Sequence, residues 1–341
     1  FLYFIVWMSK LASKGWRYAR CGPISTVLKC ETFDVNVAKE DVVVKISKAP
    51  LHRVDSAIIN GSVLGRKKTA TKPFPRIGGS EGVGTVVRAG SSKHVKEGDT
   101  VWLAPLTGTW AETVSVNADN VHKIDPKYAT LAATASNFIV AQRVLNGFGN
   151  LEAGDVIVQN GGSSITAAAI AVLAGERKLN VISAATAGAR FASSEARLKT
   201  YGSKLVPYNA AGARAAKSLV GSKGARLFLN GTGGRYFNDF VKLVGDGGNV
   251  VNFGAQNSFG LMFAGSHQIY HQVTFHGFFL PRYLAATSYE ERQTNLEIVL
   301  GALDAAKFAY PSEVATNVEG LPKVWDSAFV KGGVKGILSL Q

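Results

Sequence analysis

The chain has 341 residues, 46% of them hydrophobic and 18% charged, with 37 glycines and 10 prolines. That balance excludes a disordered, collagenous or low-complexity chain, and the length suggests two domains, each with its own core. Lysine and arginine number 38 against 24 acidic residues, a formal charge of +14 that favours anionic partners such as nucleic acid, acidic lipid, nucleotide or an acyl-phosphopantetheine.

In chain order, Phe1 to Met8 is apolar but too short to span a membrane. Ser9 to Arg20 carries Lys10, Lys14, Arg17 and Arg20 with no acid, as a mitochondrial presequence or its remnant does. Residues 1–15 therefore read as an N-terminal extension. From Trp16 to Ile46 short alternating segments predict strands, among them Ser25 to Lys29 and Asp41 to Ile46. A glycine-rich strand follows over residues 77–87, then a turn into a strand near Val101, and another strand over Thr113 to Val116. Helical spacing begins near Tyr128 and runs towards Leu145. Cys21 and Cys30 are too few for a disulfide framework or a cysteine zinc site, and a reducing compartment is the simpler setting. Six histidines form no tight cluster. His267 and His271 stand at i, i+4 with no acidic neighbour in sequence, which suits a helix surface or packing better than a metal.

The chain is organised around residues 156–177. The apolar run Val156-Ile157-Val158-Gln159 ends in Asn160-Gly161-Gly162-Ser163-Ser164, and an alanine-rich helical segment follows. This is the strand, turn and helix that open a dinucleotide-binding unit. Its helix N-terminus would offer N–H groups to a pyrophosphate. The pattern is worn, because Ala167 replaces the last glycine and Ile165-Thr166 stand where a tighter turn would want glycine. Strands are expected at 156–160, 180–184, 204–208, 226–230, 249–253 and 273–279. Helices are expected near 164–177, 191–201, 211–220 and 235–244. The fold class is α/β, with a parallel doubly wound sheet of six strands in the order 3-2-1-4-5-6. After Pro281 a helix over Ser288 to Ala306 returns the chain to the first domain, and residues 333–340 close that domain's last strand.

Taken in order and spacing, a set of segments resembles the medium-chain dehydrogenase/reductases. It is most similar to their zinc-free mitochondrial 2-enoyl thioester reductases. The segments are Gly78-Gly79-Ser80-Glu81-Gly82-Val83, Gly98-Asp99-Thr100-Val101-Trp102, Gly108-Thr109-Trp110, Val156 to Asn160, Arg197-Leu198-Lys199, Leu229-Asn230-Gly231-Thr232-Gly233-Gly234 and His276-Gly277-Phe278-Phe279-Leu280. The resemblance spans residues 16–341. It implies a GroES-like domain over 16–138 and 283–341, a Rossmann domain over 139–282, and a homodimer joined edge to edge. Zinc branches carry Gly-His-Glu where this chain has Gly79-Ser80-Glu81, so no zinc is expected. NADPH is the implied cofactor, and Asn160, Gly161, Gly162, Ser163, Ser164, Arg190, Gly231, Gly254, Phe278 and Phe279 are its expected contacts.

Four positions depart from that family's pattern. The proton-handling tyrosine should follow a "Gln-Gly" motif; here Ile59-Asn60-Gly61-Ser62-Val63-Leu64 puts Val63 in its place, and valine cannot donate a hydrogen bond. The arginine expected after the second Rossmann strand is replaced by Ser183-Ala184-Ala185, with Arg190 a few residues on. In Asn137-Phe138-Ile139-Val140-Ala141-Gln142-Arg143, Val140 stands where a threonine is expected. The fourth is the worn turn itself. Arg66, Lys67, Lys68, Lys72 and Arg76 form an acid-free basic loop suited to phosphate or RNA contact.

Two classes of function follow. In the leading one the chain is a catalytically impaired pseudoenzyme, a ribosome-associated or other assembly subunit in the mitochondrial matrix, touching other subunits or RNA. In the alternative it is a working NADPH-dependent enoyl-CoA or acyl-carrier reductase of mitochondrial fatty-acid synthesis taking an acyl thioester. A quinone-reductase-like oxidoreductase is a third option. No transmembrane segment is expected.

Overall fold

The structure, a computed structural model, describes residues 11–63, 74–255 and 260–340. The chain divides into two compact units: the residues up to Thr134 together with those from Pro311 onward, and Ala135–Tyr310.

In the first unit β1 (Leu11–Tyr18) and β2 (Lys29–Val35) form an antiparallel ribbon with β4 (Arg76–Ile77) on the outer side of β1. The strand therefore begins inside the segment read as an extension, and residues 11–15 are part of the fold. A larger sheet surrounds β3 (Val42–Pro50), whose Val42, Val44 and Ile46 are fully buried. Branched side chains on both faces suit a strand at the centre of a sheet. β5 (Gly82–Arg88) and β7 (Thr113–Val116) pair with β3, β6 (Thr100–Leu103) pairs with β5, and β8 (Val121–Lys123) closes that side. On the other side lie the returning strands Lys335–Ser339 and Ser312–Ala315. One expected strand is partly wrong: Ile24–Val27 makes a helical turn, and β2 starts only at Lys29. Pro23 opens the turn and its carbonyl accepts the Thr26 hydroxyl, so local capping overrides the β preference of Thr26 and Val27.

The second unit is one parallel sheet of six strands flanked by helices. Its order is β11 (Lys204–Pro207), β10 (Asn180–Ala185), β9 (Val156–Asn160), β12 (Ala225–Asn230), β13 (Val244–Asn252) and β14 (Thr274–Gly277). This is the doubly wound arrangement expected from the sequence. The helix Ile165–Glu176 is apolar all round and almost wholly buried, so its alanines let the sheet and the helix Ala135–Asn146 approach closely. β13 begins five residues before its expected start, because Gly245, Gly247 and Gly248 hide the strand period. The helix expected over 235–244 accordingly shrinks to Phe237–Val241. The helix Tyr289–Ala305 packs on Ala135–Asn146 and Ile165–Glu176, so it belongs with the second unit instead of returning the chain to the first. Among the described residues no helix is long and apolar enough to cross a membrane.

Candidate functional site

The carboxyl edge of the sheet, where strand order reverses between β9 and β12, is where open α/β sheets hold ligands. Here β9 delivers the chain into the turn 161–164. Gly161 has φ +68°, a conformation side chains rarely adopt, and a Cβ on it would lie 3.0 Å from the Thr232 methyl. A Cβ on Gly162 would meet Leu205 at 3.0 Å and the Ala184 carbonyl at 3.1 Å. The turn thus needs its glycines to fit against the protein itself. Ser164 caps the helix, its hydroxyl accepting from Ala167 N–H at 3.1 Å. The Gly162 and Ser164 N–H groups bind the Ala184 and Gly161 carbonyls. The N–H groups of Ser163, Ile165 and Thr166 find no acceptor among the described residues. Three unpaired donors at a helix N-terminus make an anion site.

Tyr310 fixes this turn from behind. Its hydroxyl donates to the Ser163 carbonyl at 2.6 Å, and the Arg197 guanidinium lies 4.5 Å over its ring. Burial pushes the Tyr310 phenol up, while Arg197 and Arg190 pull against it. Two cations therefore stand close to the turn, one of them the Arg190 named from sequence. Arg190 is exposed at the start of the helix Phe191–Thr200.

A row of amides runs across the strand ends. Asn160 donates to Asn230 at 2.6 Å, Asn230 to Asn252 at 2.7 Å, and Asn252 to the His276 carbonyl at 3.3 Å. Asn160 also accepts from the Gly231 and Thr232 N–H groups at 2.7 and 3.1 Å, tying the loop after β12 to the turn after β9. The Tyr208 hydroxyl bonds Asn160 and Gly233, and burial pushes its pKa up to about 12. Buried polar groups left unpaired are costly, so this satisfied row holds the edge in one arrangement.

The first unit holds a second polar cluster, around Glu81 of the Gly-Ser-Glu segment. Glu81 is fully buried and accepts from Trp102 Nε1 at 2.8 Å. His52 Nε2 lies 2.6 Å from its other oxygen, and Lys335 Nζ lies 2.9 Å from His52 Nδ1. A lysine can only donate, so the imidazole proton sits on Nε2, facing Glu81. Burial lowers Lys335 to about 8 against the attraction of Glu81 and Asp55. Asp55 takes the His52 N–H at 2.6 Å, and burial raises its carboxyl despite His52.

The residues named from sequence separate as follows. Asn160, the turn 161–164, Gly231 and Gly254 come together, Gly254 approaching the Gly231 backbone so closely that a Cβ would sit 2.3 Å from its carbonyl oxygen. Phe278 follows β14 and packs on Phe148 and Tyr283, and Phe279 is exposed. Val63 lies 38% exposed beyond the helix Arg53–Ile59 and offers no donor. Of the basic loop, Arg66, Lys67, Lys68 and Lys72 lie outside the described residues, as does the lead up to Lys10. Arg76 is half-buried and stacks on Phe74 at 4.1 Å. Phe138 packs against Phe308, and Arg143 lies over Tyr283. His271 does have an acidic neighbour, Asp246 at 2.6 Å, which sequence separation concealed. Among the described residues no group of three or more His, Cys, Asp or Glu side chains is arranged to hold a metal. Tyr310, Arg197, Asn230 and Asn252 were not foreseen. The two asparagines had a signal as polar residues closing buried strands, and Arg197 stood in a segment that carries the family resemblance.

A GroES-like sheet unit joined to a six-stranded Rossmann sheet with a glycine turn at its switch point defines a medium-chain dehydrogenase/reductase. The alcohol dehydrogenase GroES-like domain matches residues 38–126. The mitochondrial enoyl-[acyl-carrier-protein] reductase of Arabidopsis thaliana is 30% identical over 308 residues, covering 88% of this chain and 80% of the relative. Among solved structures, the complex of Etr1p with NADP and crotonyl-CoA superposes with a TM-score of 0.82 at 20% identity, over 97% of this chain and 100% of that one. The Etr1p/Etr2p heterodimer of the Candida tropicalis 2-enoyl thioester reductase gives 0.81 at 19% identity, with the same coverage. The chain belongs to the mitochondrial enoyl-[acyl-carrier-protein] reductase family of the medium-chain dehydrogenases/reductases.

Proposed function

We propose that this chain is an NADPH-dependent reductase of 2-enoyl thioesters that works in the mitochondrial matrix. The observation carrying the reading is the anion site at residues 163–166, with three unpaired N–H groups and both Arg190 and Arg197 nearby. The relatives' names and the NADP-bound neighbour support the same direction. The residues fit a dinucleotide: backbone N–H groups suit the pyrophosphate, and the exposed guanidinium of Arg190 suits a 2′-phosphate. No arginine follows β10 directly, but Arg190 at the start of the next helix supports such a contact, its charge acting on Tyr310 beside the turn.

When bound, the reduced nicotinamide supplies the hydride that saturates the double bond. The chain's own part is to hold the nucleotide's phosphates on the turn, keep the strand ends fixed through the Asn160–Asn230–Asn252 row, and polarise the thioester. Among the described residues no further strand pairs with the outer edge of β14, and the exposed Met262, Ile269 and Tyr270 lie close to it in sequence. An unpaired edge flanked by apolar side chains suits pairing with a second copy, and we read the chain as a homodimer.

A second reading, the assembly subunit, rests on Val63, which removes the family's phenol from its usual place. One titration separates the two. NADPH added to the full chain should bind saturably, and crotonyl-CoA should then cause its oxidation. Arg190→Ala should weaken NADPH about tenfold and leave NADH unchanged, the worth of one charge-assisted contact. Failure of both nucleotides to bind, with co-sedimentation of the protein on a large particle, would overturn the reductase reading.

A further inference from the structure

The helix Gly265–Tyr270 stands shortly before β14, with His267 on it and His271 just after it. The two imidazole rings lie 4.4 Å apart, centre to centre. Both are tied to β13: His267 Nε2 lies 3.1 Å from the Val244 carbonyl, and His271 Nδ1 lies 2.6 Å from Asp246 Oδ1. The His271 carbonyl accepts the Gly247 N–H at 2.8 Å, and Arg226 of β12 reaches the Asp246 carbonyl at 3.1 Å. Lys242 is a further cation beside His267. The same helix carries Ile269 and Tyr270, 71% and 80% exposed. Ahead of it Phe263 stacks on Phe275 of β14 at 4.3 Å and is itself 40% exposed. The imidazole pair thus sits within the apolar stretch that flanks a strand edge unpaired among the described residues.

We propose that His267 and His271 make association through this edge respond to pH. The chain pairs with a second copy while at least one ring is neutral, and protonating both drives the copies apart. This rests on the homodimer reading. An isolated histidine takes up its proton at about pH 6.5. Two imidazolium rings at this spacing repel, and the single Asp246 carboxylate faces both, with Lys242 adding a third positive charge. On the open surface of one copy water screens that repulsion. A second copy laid over Ile269 and Tyr270 removes part of the water, and like charges then repel roughly four times more strongly than in bulk water. The paired state therefore binds fewer protons, and by linkage its dissociation constant rises as pH falls through the histidine range. Burial and the charge of His271 hold His267 below its ordinary value, so the second proton is the harder one to add.

Sedimentation equilibrium of the full chain at fixed ionic strength, at about pH 8 and about pH 5.5, tests this, with circular dichroism at both. The wild-type dissociation constant should be about tenfold or more larger at the lower pH. His267→Gln keeps a donor for the Val244 carbonyl but cannot become charged, and it should hold the dimer equally at both pH values. His271→Gln should do the same. The proposal fails should the wild type associate alike at both pH values, or should either glutamine variant keep the wild-type response. It fails too should dichroism be lost along with the dimer, since the acid would then be unfolding the chain. A wild-type chain that stays monomeric at both pH values and at high concentration overturns the homodimer reading, and this inference with it.

Discussion

Lys335 is the residue whose chemistry most departs from its isolated behaviour. It is buried beside His52 and Glu81 and releases its proton near 8 instead of 10.5. Between those values the unfolded chain holds more protons than the folded one, so the stability contributed by this lysine rises with pH across the window. The full effect is on the order of 3 kcal/mol. Asp55 runs the other way: folding raises it, so its contribution is present below its unfolded value near 3.8 and fades as pH climbs through the folded value. Urea unfolding at a series of pH values between 8 and 10.5 should show an upward slope in the wild type that Lys335→Met lacks. At neutral pH, Lys335→Met should also shift the urea midpoint, because the buried His52 Nδ1 loses the donor it bonds. An unchanged midpoint would mean that the cluster is solvated in solution.

On the reductase reading, cofactor binding depends on the turn after β9, whose conformation is set by contacts at both ends. Ser164 caps the following helix, and Tyr310 holds the Ser163 carbonyl. Ser164→Ala should cost about 1 kcal/mol in thermal or urea unfolding, the usual value of an N-cap. Tyr310→Phe should leave the melting temperature nearly unchanged and weaken NADPH severalfold, through loss of one hydrogen bond that orients the turn. Equal NADPH affinity in that variant would show the turn to be rigid without it. Much of this element was legible: an apolar run, two glycines, two serines and an alanine-rich helix are local features, and local periodicity is what a sequence displays. The start of β13 was not, because its glycines carry no side-chain alternation and only pairing with β12 and β14 makes them a strand.

At the level of the whole molecule, the edge of β14, unpaired among the described residues, predicts association. Met262→Lys combined with Ile269→Lys should shift the chain from dimer to monomer in sedimentation, with secondary structure preserved. Monomeric wild-type protein would sink the dimer. The separation of the chain into two units was legible in outline from the change between short alternating strands and the strand–helix repeat. The membership of the helix Tyr289–Ala305 was not, since an amphipathic helix records that it has an apolar face but not which neighbour covers it.

By itself the sequence determined the strand order of the second unit, the glycine turn and the family resemblance. These depend on residue type, spacing and period. Only the tertiary structure decided that Tyr310 reaches back 147 residues to Ser163 and that Lys335 reaches 283 residues back to His52. It also brought Asp246 up to His271. Such partners are chosen by how sheets close and helices pack, a consequence of the entire buried surface that no local pattern can carry.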